Sequence, residues 1–585
     1  MDRRNGAMHV DTSRRRHRGV DGTEREYRRH LLRRSYRDSQ GRPQKETLAN
    51  LSALPDEAIT AIRTVLSGSV LVGAESAFEV ERSLPHGDVA VVHAMASGLG
   101  VKELLGPDCR ERDLAYALIV SRVVRPKSKL STSRWWGDTT LGVDLGVVEA
   151  STDEVYAAMD WLLGRQDRIE TMLAKRHLAP GGMAMFDLSS SWVEGRCCEL
   201  AAFGYSRDRK RGSKQVEYGL LTDRVGRPVG IRVFPGNTSD TKSFTEAVRM
   251  VRVKFGLDRL TMVGDRGMIT SARIKELRAL PGMEWITALR APAIAALASD
   301  DGPLQMSLFD TQNFAEIVHP DYGGERLICC RNPALAEERA RKREALLVAT
   351  AKELDKITGR VASGTLSGKD AIGIAVGKVV NKYKVGKHIT LDISDTEFCF
   401  SRDEEKIRAE SALDGIYVIR TGLAANTLSG SDVVAAYKSL AHVERDFRII
   451  KIDDLDLRPI YHYLSDRVRA HIFLCMLAAY LVWHLREKLA PLTFTDEHIP
   501  QRADPVICAQ RSTTAKNKDA RKHTPDPDAL PVRSFQDLLA HLRTLNREII
   551  NFAGRRIEKL TTPTPTQRRV FELIGVPIPL NLAGT

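Results

Sequence analysis

The stretch YKSLAHVERDFRIIK, residues 437–451, places Tyr437, Glu444 and Lys451 seven residues apart, twice. Seven residues is nearly two helical turns, so on one helix the three side chains form a stripe. Lys438, Arg445, Arg448 and Lys451 make the stretch basic, and Leu440, Val443, Phe447 and Ile450 give it an apolar face. A glutamate amid these bases is either half of a surface ion pair, which contributes little, or a ligand for something catalytic. Two aspartates offer it company. Asp187 closes the run MAMF, and Asp265 closes LTMVG ahead of a glycine-containing turn. Each is expected at the exposed end of a buried strand, held over a cleft, although taken singly each is as readily a turn or helix cap. Converging carboxylates repel unless a cation lies among them. Mg²⁺ or Mn²⁺ suits such a set, because hard ions take oxygen ligands and leave positions for water and phosphate. Two such ions can activate a water or a 3′-hydroxyl and stabilise the leaving oxygen of an in-line displacement. Asp187, Asp265 and Glu444 are the candidate ligands, and the bases around Glu444 the candidate phosphate contacts.

These residues need a sheet that brings them together. MAMFDLSS (183–190), VEYGLLTD (216–223) and VGIRVFPGN (229–237) read as three successive strands. A helix at about 241–255, the strand LTMVGD, the helix SARIKELRAL and the strand EWITALR follow. This is the order of an RNase H-like α/β core with a mixed five-stranded sheet, in which the first and fourth strands are neighbours. A doubly wound nucleotide-binding sheet needs helices between the first three strands and a glycine-rich first turn, and neither is present. Residues 291–412 interrupt the order with a charged helix (336–357) and strand-like runs. The core resumes at GIYVIRTG (415–422), followed by a helix from about Ser431 that Ser429 and Asp432 would cap. That helix carries Glu444, and a long apolar helix follows at 467–489.

The rest of the chain points to a polyanionic partner. Residues 1–50 hold 14 Lys/Arg against 7 Asp/Glu, a net of +7 within a chain total of +13. Clustered bases gain affinity by releasing counterions from phosphate backbones. No apolar run exceeds the 12 residues of IFLCMLAAYLVW, short of a membrane span, so no membrane is expected. The eight cysteines form no CxxC, and with no signal-peptide pattern at the start they suggest a cytoplasmic home. Domains are expected at 1–70 (basic, DNA-binding), 71–178 (helical), 179–292 (core, first part), 293–412 (α+β insertion), 413–495 (core, second part) and 496–585 (linker and C-terminal helix at about 534–550). Within these, residues 1–29 are expected to lack fixed structure, and 30–51 to form two short strands before a helix at 55–66. PKSKLSTSRWWGD (126–138) suits either phosphate contacts or a capped turn with packed tryptophans.

With these residues in place, the chain resembles the DDE transposases of bacterial insertion sequences, in the subgroup with a β-rich insertion before the third carboxylate. FDLSSSWVEG (186–195), GYSRDRKRGSKQVEYGLLTD (204–223), VFPGNTSD (233–240), VGDRG (263–267) and DLRPIYHYLSDRVRAHIFLCMLAAYL (456–481) carry the resemblance. So does a signature of Tyr, Arg, Glu and Lys, met by Tyr437, Glu444 and Lys451 but with Leu440 at the Arg position. The resemblance implies two Mg²⁺ ions on Asp187, Asp265 and Glu444, and cleavage at terminal inverted repeats. The freed 3′-hydroxyls are then joined to target DNA by a homodimer on synapsed ends. Tyr437 and Lys451 would contact terminal phosphates, and Arg448, one turn after Glu444, would stand in for the missing Arg. The localisation implied is cytoplasmic, on the nucleoid when DNA-bound. Two rivals share the triad or its remnant: an RNase H-like nuclease without strand transfer, and an inactive, transposase-derived DNA-binding protein.

Other features have a functional reading and a plainer one. Arg207, Arg209, Lys210, Arg211 and Lys214 in RDRKRGSK either follow the DNA backbone or form a solvated hairpin tip. Asn237 and Asp240 are expected as turn and cap residues. His442 points about 200° away from Glu444 around the helix, and His471 and His484 read as core histidines. Trp285 and Tyr417 read as packed aromatics, and the pairs Cys197–Cys198 and Cys329–Cys330 as small apolar residues.

Overall fold

The computed structural model describes residues 7–18, 24–69, 78–208, 210, 212–299, 301–498, 504–507, 509–523, 529–552 and 555–582. The chain divides into two compact units, residues 1–83 with 547–561 and residues 84–546 with 562–585.

The first unit is mostly β. Strands β1 (Ala7–Arg18), β2 (Glu24–Arg37) and β3 (Pro43–Asn50) form an antiparallel sheet in that order, followed by the helix Asp56–Leu66. A second sheet combines β4 (Phe78–Pro85) with β15 (Asn546–Phe552) and β16 (Arg555–Leu560) in the order β16-β15-β4. Residues 1–70 are thus largely β where described, whereas the region expected to be helical at 71–178 carries its helices between Gly87 and His177. The described part of residues 1–29 also adopts structure, as the outer hairpin of β1 and β2. Its charge is tolerated because Glu26 lies 3.8, 4.0 and 3.1 Å from guanidinium nitrogens of Arg14, Arg16 and Arg28. At the other end of the chain, the helix runs only over Phe535–Leu542. The β-branched pair Ile549–Ile550 belongs to β15 instead, as its strand preference dictates.

The second unit is built on a mixed sheet of β5 (Met183–Trp192), β6 (Gln215–Asp223), β7 (Pro228–Pro235), β8 (Leu260–Val263), β9 (Met283–Ala288), β10 (Phe314–Ile317), β11 (Arg326–Arg331) and β14 (Ile416–Thr421). Its order is β7-β6-β5-β8-β9-β14-β11-β10. Strands β5, β8 and β9 run parallel to one another, and every other neighbour pair is antiparallel. Strand β6 is buried at all nine positions, as befits a strand covered on both faces. Eight strands replace the five expected, because β14 joins the edge of β9 and the insertion adds β11 and β10 beyond it. The rest of the insertion closes on itself. Helices Pro333–Ala362 and Lys369–Tyr383 pack on the hairpin β12 (Ile389–Ile393) and β13 (Phe398–Arg402) around Leu354, Ile372, Val376 and Phe398.

Helices Gly87–Gly98, Arg110–Val124 and Thr152–Leu163 pack against the long helix Ser465–Lys488. By length and composition that helix could cross a membrane, but 83% of its apolar window is buried inside the protein, which makes it the core helix of this unit. The stretch 126–138 forms the capped turn with packed tryptophans. Ser128 caps the helix Lys129–Trp135, and Trp136, fully buried, donates from Nε1 to Ser121 Oγ at 3.0 Å.

Candidate active site

Register places the two aspartates side by side. The parallel pairing of β5 with β8 ends at Met185 against Val263. Asp187 and Asp265 each lie two residues beyond that pair, so they share its face. Asp187 does not end its strand as expected. Strand β5 continues to Trp192 along β6, with Asp187 opposite Leu220, because Leu188 and Ser189–Trp192 still have a partner strand on that side. Asp187 is half-buried and Asp265 is exposed. The Asp187 carboxylate accepts from the Leu188 N–H at 2.8 Å.

Glu444 arrives on a helix interrupted twice. Ser429 caps the helix Gly430–Lys438, accepting from the Asp432 N–H at 3.2 Å. The chain then re-enters helix over Leu440–Arg448 and widens into a π turn over Ile449–Asp453. Tyr437, Glu444 and Lys451 thus fall on three segments, and the π turn, with more residues per turn than an α-helix, takes Lys451 off the stripe. Glu444 and Arg448 are exposed. Lys451 is buried, and its Nζ donates to Asp208 Oδ1 at 2.8 Å. Asp208, 2% exposed, also holds Arg458. Lys451, expected at the terminal phosphates, is thus held here by an internal carboxylate.

Electrostatics tie the acids together. Burial pushes the Asp187 carboxyl up to about 7; the Leu188 N–H and Arg207 pull it down, whereas Glu444 and Asp265 push it up. The Tyr437 phenol is raised by burial first and then by the adjacent charge of Asp265. Asp187, Asp265, Glu444 and Tyr437 thus converge on one site. A side chain at Gly267 would intrude on it, since a Cβ there would lie 3.3 Å from Asp240 Oδ2 and 3.7 Å from Asp265 Oδ2.

Among the described residues of 207–214, Arg207 and Asp208 are held by partners inside the protein. Arg207, expected along the DNA backbone, donates to Asp240 Oδ1 at 2.6 Å and lies 3.4 Å from Glu217. Lys210 is exposed, 3.3 Å from Glu194 and 4.4 Å from the centre of the Trp192 ring. Lys214 is half-exposed, and Arg209 and Arg211 lie outside the described residues. The sequence reading missed Glu217, which is buried in β6 and pushed up to about 7 by desolvation despite Arg207. Its signal was a lone acid inside the apolar run VEYGLL, which implies a buried partner.

The plainer readings hold elsewhere. Asn237 is exposed in the turn before the helix Asp240–Arg249, but Asp240 is the first residue of that helix and not its cap, and it accepts from Arg207. His442 pairs through Nδ1 with the Val225 carbonyl at 2.9 Å, at a turn where Gly226 has φ +93° and a Cβ would lie 2.8 Å from His442 Cβ. His471 is buried with its Nδ1 3.1 Å from Lys129 Nζ, and His484 packs on Tyr480. Trp285 is buried beneath Arg278, and Tyr417 lies beside Cys330. Cys198, Cys329 and Cys330 are buried, but Cys197 is exposed.

Asp446, on the Glu444 helix, faces inward. It is 2% exposed, its Oδ2 has no hydrogen-bond partner, and burial raises its carboxyl well above the usual range. A carboxyl raised in the folded state brings stability that is complete below its unfolded value, near 3.9, and is lost as pH rises through the folded value. Asp446→Asn removes that loss. Thermal melts should show a gain of about 1–2 kcal/mol at pH 8 and a smaller one at pH 5; an equal gain at both would refute the assignment.

The residues present fit a hard divalent cation. Their donors are carboxylate oxygens, their mutual repulsion raises Asp187, and Gly267 leaves room between Asp240 and Asp265. Among the described residues, no three His, Cys, Asp or Glu side chains are drawn together closely enough to share an ion. The set is convergent but open, as expected of three like charges.

Two family models match parts of the chain. Residues 201–481 match the family model of the transposase DDE domain, a span that contains Asp265 and Glu444 and begins shortly after Asp187. This match, with one at the N-terminus, supports an insertion-sequence DDE transposase. Residues 18–70 further match the N-terminal domain of the IS1634 family of transposases. No curated protein matched the chain. A solved structure described as "Cryo-EM structure of piggyBac transposase synaptic complex with hairpin DNA (SNHP)" aligns over 78% of this chain and 82% of its own, at 8% identity and a TM-score of 0.32. So distant a likeness bears on neither fold nor function.

Proposed function

We propose that this transposase works by cut-and-paste: it binds the terminal inverted repeats, cleaves the element ends and joins the 3′-hydroxyls to target DNA. The observation that carries the reading is the placement of Asp187 and Asp265 two residues beyond the last pair of the adjacent parallel strands β5 and β8, with Glu444 on a helix packed against β5. An RNase H-like core is supported by the order β7-β6-β5-β8-β9 with β5, β8 and β9 parallel. Asp187, Asp265 and Glu444 would hold two Mg²⁺ ions, or Mn²⁺, which when bound supply charge neutralisation and an activated oxygen nucleophile. The chain's own residues do the rest. Tyr437 stands against Asp265 and orients its carboxylate. Arg448, exposed one turn beyond Glu444, takes the phosphate contact that Leu440 cannot make. A homodimer holds two ends at once, in the cytoplasm and on the nucleoid.

The test uses duplex DNA bearing the ends that flank the gene. Wild type should nick these ends with Mg²⁺ or Mn²⁺ and not with EDTA, and should then join them to a target plasmid. Nicking without joining would leave an RNase H-like nuclease. End binding with no cleavage under either metal would leave a DNA-binding relic.

A further inference from the structure

In the first unit, β1 pairs with β2 along its whole length, Ala7–Arg18 against Glu24–Ser35, whereas β3 pairs with β2 only from Leu31 to Arg37. The registers from Ser13/Arg29 to Arg18/Glu24 therefore form a two-stranded ribbon, roughly 17 Å long at about 3.4 Å per residue. A two-stranded hairpin alone is marginal in water and its edges invite pairing, so this arm calls for a partner.

The faces of the ribbon differ. Directly opposed residues share a face, and faces alternate along the strand. Arg14/Arg28, Arg16/Glu26 and Arg18/Glu24 share one face, where Glu26 lies close to Arg14, Arg16 and Arg28. Ser13/Arg29 and Arg15/Tyr27 lie on the other with His17, and these three registers contain no acid. Arg15, His17 and Arg29 are exposed, and Tyr27 is 58% exposed. One face is partly self-neutralised. The other is an uncompensated arginine surface with an aromatic at its centre.

We propose that the Arg15–Tyr27–Arg29 face lies in the major groove of the duplex at the element ends. The proposal rests on the reading that this transposase binds those ends. The major groove, about 12 Å wide, admits a two-stranded β-ribbon and, unlike the minor groove, presents the guanine O6 and N7 acceptors that arginine reads. Arg15 and Arg29 reach guanine O6 and N7 or the flanking phosphates, and Tyr27 packs between them against base edges. The Glu26 face turns to solvent, where its acids do not meet phosphate.

The test compares two triple variants of the full chain, Arg15→Ala/Tyr27→Ala/Arg29→Ala and Arg14→Ala/Arg16→Ala/Arg28→Ala. Each is titrated by anisotropy against end DNA and a scrambled duplex between 50 and 200 mM salt. The first variant should lose at least about tenfold in end affinity, its salt slope falling by about two, and methylation of guanine N7 should cease to interfere with its binding. The second should stay within about threefold of wild type. Should the first triple variant melt like an unfolded chain, Tyr27→Ser alone reads the same face. Equal losses from both faces, or none from the first while wild type still prefers the ends, would overturn the ribbon assignment and leave end binding intact. Wild type that does not distinguish ends from scrambled DNA would overturn the reading beneath it.

Discussion

Glu444→Gln is expected to leave end binding intact or slightly tighter and to lower end cleavage by at least about 10³-fold. Binding survives because Glu444 offers DNA only a like charge, and its removal relieves repulsion along the phosphate path. Cleavage fails because the amide keeps the shape of the carboxylate but not the charge. Charge stabilisation by bound metal amounts to several kcal/mol, and each 1.36 kcal/mol is tenfold in rate. The same substitution has a readout that needs no DNA. Burial does most to raise the Asp187 carboxyl to about 7 and the Glu444 charge adds to it, so in Glu444→Gln the Asp187 carboxyl should titrate somewhat lower, measurable by carbon-detected NMR. An unmoved Asp187 would mean that Glu444 does not share the site. Retained cleavage would mean that a different acid completes it.

Arg207→Ala should destabilise the protein by about 2–3 kcal/mol, an effect a loop arginine gripping DNA would not have. Arg207 is the cation between Asp240 and the buried Glu217, and removing one partner of a buried pair leaves the other charge uncompensated. The sign with pH follows from Glu217. Its carboxyl is already raised to about 7 with Arg207 present, and losing Arg207 raises it further. Native protein then holds this proton more tightly than unfolded chain, so its stability falls as pH rises through the folded value. The destabilisation should therefore be larger at pH 9 than at pH 6 in urea melts. Glu217→Gln placed on Arg207→Ala should abolish that growth, and a flat difference across pH would refute the pairing.

The sequence was most informative where period and order were enforced by burial. The strands at 183, 216, 229, 260 and 284 are observed within a residue or two of where alternation and turn residues put them. The neighbourhood of Asp187 and Asp265 followed from strand order alone. What escaped was set by partners distant in sequence. Nothing near Lys451 announces Asp208, some 240 positions away, so a buried lysine read as a phosphate ligand. The π turn that displaces it has no local signal in RIIKID. The N-terminal ribbon was hidden by its charge, since arginine-rich chain resembles unfolded chain until opposing strands supply Glu26. The extra strands β10 and β11 lay in a segment set aside as an insertion, although the open edge of β14 is what recruits them.

The first unit is sewn from both ends of the chain, with β4 completed by β15 and β16 from residues 546–560. This fixes a sequence of events during synthesis. Chains emerge at about 5–20 residues per second, so Asp187, Asp265 and Glu444 have all left the ribosome before the strands that finish the N-terminal unit exist. A product truncated near residue 540 would therefore carry all three candidate acids while its first unit still lacked two of its strands.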